Sequence, residues 1–137
     1  MTDLSNRFFA GALCFFAGGV GVAVYMGQTQ DFTLRPVHAH LNLLGWVSFF
    51  LYGAFHRFFP EAASWRLSQA HFWTALIGLP PFMVGLGLLV SGRPDLGLPI
   101  MLPGEALTVL SVALFLTVGF RALRGRRAPR AVAMPAE

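Results

Sequence analysis

"RPVHAHLNLLGW", residues 35–46, opens an apolar run that continues to Phe59 and sets two histidines and an asparagine at its mouth. Pro36 suits the first turn of a helix, where its missing N–H has no partner to lose, with Thr33 or Asp31 placed to cap just before it. From His38 onward the residues read as unbroken helix. At about 100° per residue, His38 and His40 point roughly 200° apart, to opposite sides of that helix. One helix therefore cannot turn both onto a single metal, unlike metalloprotease pairs spaced four apart. Ionisable groups inside an apolar span are costly and tend to face a bundle interior or a functional cavity. His38 and His40, followed by Asn42 and Gly45, thus read as a binding element; the plainer alternative is a pair of interfacial polar residues near the headgroups. Gly45, seven residues after His38 on the same face, leaves flat space beside it.

Around this stretch the chain is built for lipid. Its 137 residues are 55% hydrophobic and 12% charged, with mean hydropathy +0.63, and a soluble domain carries about twice that charged fraction. A bilayer core of about 30 Å needs roughly 20 apolar residues per helix. Four segments qualify: 8–27, 36–59, 70–92 with a kink expected at Pro80-Pro81, and 99–122. Short loops make successive spans antiparallel neighbours. The first span is longer than a signal-peptide core and lacks a small-x-small cleavage site, so it reads as retained. The expected architecture is an all-α integral membrane protein, with a four-helix transmembrane domain at 1–123 and a basic, disordered tail at 124–137. Cys14 is the single cysteine, so no intrachain disulfide forms.

All ten basic residues are arginine, and the pI is near 10.6. Half of them lie at or beyond Arg121, a pattern that orients a membrane protein and meets anionic lipid rather than nucleic acid. Arg7, Arg57, Arg66 and the arginines from Arg121 onward share one side, and Arg35 and Arg93 the other. The positive-inside rule then places both termini in the cytoplasm of a bacterial-type inner membrane. His38 and His40 fall at the outer side, His56 and His71 at the inner. His38 and His56 are about 27 Å apart along a helix, so the outer and inner pairs do not meet. His56 reads as an interfacial residue, and His71 as a cap or snorkelling group at the start of its span. Glu105 suits the first turn of span 4, where negative charge is favoured.

The stretch "HAHLNLLGWVSFFLYGAFHRFFP", 38–60, resembles the tenth helix of subunit I of the haem–copper oxidases, with His-x-His at the outer end and Phe-Pro at the inner. "LSQAHFWTALIGLPPFMVGLGL", 67–88, looks like the eleventh helix, and "LRPVH" resembles the entry to the second helix of some members. The likeness covers about the middle half of the chain. It implies that His38 and His40 ligate haem irons on opposite sides of one helix. Subunit I has twelve helices in three pseudo-repeats of four, so the resemblance also implies one repeat that a homotrimer completes. The family's copper site takes three further histidines, including an adjacent pair, and this chain has no His-His. Haem binding is therefore expected without reduction of oxygen or nitric oxide, and copper is the less favoured metal.

Haem b ligated by His38 of one protomer and His40 of its neighbour is six-coordinate, which suits electron transfer to a quinone or cytochrome partner, or redox sensing. Met26 or Met101 is an alternative axial ligand at similar depth. Arg35 is placed to pair with haem propionates, and Trp46 to flank the haem or simply to pack. Other readings are a haem or copper carrier, a sensor of nitric oxide or oxygen with five-coordinate haem, and a cofactor-free structural subunit.

Overall fold

A computed structural model describes residues 3–125, all-helical with no strand among them. The elements are α1 (Asp3–Thr29), α2 (Arg35–His40), a π-helical segment (Leu41–Val47), α3 (Ser48–Phe58), a short α4 (Pro60–Ala63), α5 (Arg66–Val90) and α6 (Pro94–Gly125). Three helices, Leu4–Thr29, Arg66–Val90 and Pro94–Gly125, are long and apolar enough to cross a membrane. By length and composition this is a multi-pass membrane protein. The second run is composite: α2, the π segment and α3 join end to end over 35–58, about 35 Å of helix. Large apolar side chains such as Leu13, Phe50, Val84, Val109 and Phe120 point outward, as a lipid-facing surface requires.

Glycine decides how the helices meet. Between α1 and the composite helix, two glycines of each receive a side chain of the other. Gly11 faces Phe49, Gly19 faces Asn42, Gly45 faces Phe15 and Gly53 faces Phe9. These contacts pair the start of α1 with α3 and its later half with α2 and the π segment, so the two run antiparallel. Ser5 Oγ ties the same ends together by donating to the Gly53 carbonyl at 2.8 Å. Between α5 and α6, backbone meets backbone. A Cβ on Gly85 would fall on the Met101 nitrogen, and one on Gly104 on the Phe82 nitrogen. One on Gly97 would lie 2.7 Å from the Gly85 carbonyl oxygen. Small residues permit this approach where lipid supplies no hydrophobic force between helices.

The turns follow from local chemistry. Phe59 (φ −124°, ψ 68°) leaves helical geometry, as the residue before a proline tends to. After α5, Gly92 adopts φ +80°; its N–H donates to the Leu89 carbonyl while that of Arg93 donates to Leu88, a Schellman closure.

Several boundaries differ from the sequence expectation. Helix α5 begins at Arg66, four residues before the expected 70, and like the expected span it continues through Pro80-Pro81; Gly78 and Leu79 are buried just ahead of the pair and Pro80 is exposed. Helix α6 begins at Pro94, five residues before the expected 99, which puts Glu105 about three turns in. The N-terminal helix dipole therefore does not account for it. Helix α6 extends to Gly125, past the expected boundary at 123; the remainder of the tail lies outside the described residues.

Gly85→Ala and Gly104→Ala should each destabilise the bundle by about 1–3 kcal/mol, because the new methyl meets backbone that cannot yield. Gly21→Ala, where a Cβ meets nothing within 4 Å, should be neutral or slightly stabilising. Thermal unfolding in detergent, followed by circular dichroism, checks the contrast.

Candidate functional site

The composite helix starts with Pro36 in its first turn and no side-chain cap; Leu34 is the capping residue. Neither Thr33 nor Asp31 caps it. Asp31 Oδ1 instead accepts the Thr33 backbone N–H at 2.9 Å, within the loop. Hydrogen bonds from the Thr33 side chain and then its backbone hold the Asp31 carboxyl below its ordinary range.

Two residues apart, His38 and His40 turn to different neighbours. His38 faces α1, where its Nδ1–H donates to the Gly19 carbonyl at 2.9 Å. His40 faces α5, with its ring edge-on to Phe82 at 5.5 Å between centroids. Its Nδ1–H donates to the Pro36 carbonyl of its own helix at 2.8 Å. A carbonyl only accepts, so each contact fixes the Nδ1–H tautomer and makes Nε2 the nitrogen with a lone pair; on His38 the Asn42 Nδ2 lies 3.5 Å from that Nε2. That is the arrangement of a metal-ligating histidine, whose second nitrogen is held by a carbonyl or carboxylate. Asn42 Nδ2 donates to the His38 carbonyl at 2.8 Å and rests against Gly19, where a Cβ would lie 2.9 Å from that nitrogen. Both rings are partly buried.

The other expected site residues take varied positions. Arg35 is exposed, its guanidinium 5.4 Å from the Phe32 ring centroid. Trp46 is partly exposed and packs on Phe16 at 4.4 Å. The flat space expected at Gly45 is filled within the protomer, since Phe15 of α1 packs there with Leu79 beside it. Met26 is buried, and the Met101 backbone is pressed against Gly85. Among the described residues, no three of His, Cys, Asp and Glu gather as a metal site.

Sequence reasoning missed two features. The first is the π segment that begins directly after His40. There the Ser48 N–H and Oγ both reach the Leu43 carbonyl, five residues back, the hydroxyl at 2.8 Å. Such segments recur at functional sites, and no residue pattern here announces one. The second is the fate of the inner histidines. His71 lies five residues inside α5, away from its N-cap, and neither His56 nor His71 reaches the protein surface. Both are fully buried, with ring centroids 6.5 Å apart, and none of their four nitrogens has a hydrogen-bond partner among the described residues. Phe8, Tyr52, Phe55 and Phe115 surround them. Each unsatisfied buried donor or acceptor costs roughly 1–3 kcal/mol, so two bare imidazoles call for a reason.

No protein-family model matches the chain, and no curated protein or solved structure does so.

In 15N NMR of histidine-labelled protein, His38 and His40 should both read as Nδ1–H tautomers. Gly19→Val should displace Asn42 and perturb the His38 signal, leaving His40, whose acceptor is on its own helix, unchanged. An Nε2–H form at either position would contradict the geometry.

Proposed function

We propose that the chain is a membrane-embedded b-type haem protein that transfers electrons or senses redox state. In this reading His38 of one protomer and His40 of the next ligate each haem. The observation that carries it is the state of the outer imidazoles, each with Nδ1–H engaged by a carbonyl so that Nε2 is the ligating nitrogen; on His38 a ligand would displace the Asn42 amide, 3.5 Å away.

Phe15 occupies the space at Gly45, so the protomer interior does not accept haem beside His38. Between the two histidines, Ala39, Leu43, Trp46, Val47 and Phe50 form an outward face of the composite helix. The histidines flank that face on opposite sides. A closed ring of copies packed along it would bring unlike flanks together at each junction, which supports ligation between protomers. Three copies would give the twelve-helix arrangement of the resembled family.

Arg35, exposed at the mouth of the helix, would pair with the propionates, and Asn42 with the Gly19 carbonyl would hold the His38 ring in position. Trp46 would flank the junction. Bound haem would supply one-electron chemistry, with His38 and His40 of neighbouring copies holding it. The same reading takes 35–58 as the fourth span, sets both termini on the cytoplasmic side of a bacterial-type inner membrane, and assigns a quinone or cytochrome as redox partner.

Protein expressed with haem supplied and purified in mild detergent should show sharp b-type bands in its reduced-minus-oxidised spectrum. His38→Ala and His40→Ala should each abolish them, whereas Met26→Leu should not. A colourless wild type, or bands that survive both histidine substitutions, would refute the assignment.

A further inference from the structure

We propose that His56 and His71 form a two-coordinate site for a soft monovalent metal ion of the Cu(I)–Ag(I) class. It lies at the end of the bundle opposite His38 and His40. The inference stands on these two rings and does not depend on haem binding.

Distance gives the first argument. A ring nitrogen lies roughly 1.2 Å from its centroid, so a direct N–H···N bond of about 2.9 Å would hold the centroids within about 5.2 Å. The observed separation is 6.5 Å, too long for that bond. Two metal–nitrogen bonds of about 2.0 Å each, in line, give about 6.4 Å between centroids. The spacing thus suits one bridging atom between the two rings.

The donor set gives the second argument. Among the described residues no Cys, Asp, Glu or third His joins the pair. Structural zinc takes four ligands in tetrahedral array, and calcium or magnesium takes oxygens. Two neutral imidazoles in line are a complete donor set for a d10 monovalent ion, and imidazole is a ligand that copper accepts.

The surroundings give the third. His56 and His71 are fully buried, with none of their nitrogens satisfied. Their cage is aromatic, with Phe8 against both rings, and ring faces attract a cation in a dry site. A single charge incurs a far smaller desolvation penalty there than a double one. Each imidazole also has a near-perpendicular aromatic neighbour, Phe55 for His56 at 81° and Tyr52 for His71 at 82°. A ring N–H left over after ligation can rest on such a π face.

The test uses Ag(I), a redox-inert probe, on the full chain in detergent. Cys14→Ser forms the background, because that exposed thiol would itself take a soft ion. One Ag(I) per chain should bind, raise the unfolding temperature, and shift the imidazole 15N signals of His56 and His71. Binding should persist in His38→Ala/His40→Ala and weaken at least a hundredfold in His56→Phe and in His71→Phe. Absence of binding in the Cys14→Ser chain, or 15N signals of His56 and His71 that do not move with added Ag(I), would overturn the site without recourse to either phenylalanine variant. Unchanged affinity in both phenylalanine variants would do the same.

Discussion

Close helix approach through glycine is the constraint on which the rest of this protein depends. In lipid, apolar side chains gain little by leaving hydrocarbon for one another, so packing contacts carry the association. Gly78, Gly85, Gly97 and Gly104 let α5 and α6 touch backbone to backbone, while Gly11, Gly19, Gly45 and Gly53 let α1 and the composite helix interlock side chain into gap. The two modes have different consequences. The first makes a stiff pair. The second brings the Gly19 carbonyl within reach of an imidazole two helical turns above the midpoint of its partner helix, and so turns a packing device into a hydrogen-bond acceptor for His38.

That coupling gives the two outer histidines unequal supports. His40 is oriented by its own helix through Pro36, and remains oriented for as long as the first turn stays folded. His38 depends on a neighbouring helix and on Asn42 keeping its place against Gly19. The proposed haem site would thus combine one ligand fixed locally with one fixed by tertiary packing. The π segment lies directly below them, between the histidines and α3.

Much of this was legible in the residues. Apolar run lengths marked out the helices, because a bilayer's thickness sets the length of what crosses it. The divergence of His38 and His40 followed from helical pitch alone. Helix starts were harder: α6 begins at Pro94 because proline tolerates a first turn, and an apolar-run criterion overlooks the polar residues ahead of Leu96. The inner histidines were unreadable, because burial at 56 and 71 depends on Phe8 from a helix distant in sequence. The filling of Gly45 by Phe15 was hidden in the same way. A glycine shows that something approaches, not what.

The central claim, ligation shared between copies, is tested most directly by complementation. Differently tagged His38→Ala and His40→Ala chains are co-expressed with haem supplied, and the doubly tagged assemblies are isolated and scored for bound haem. Shared ligation predicts that mixed assemblies recover haem although neither variant alone holds any, because each mixed ring contains a junction with both ligands intact; random mixing restores about a quarter of all junctions. Mixed assemblies without haem, or either variant binding haem alone, would contradict it.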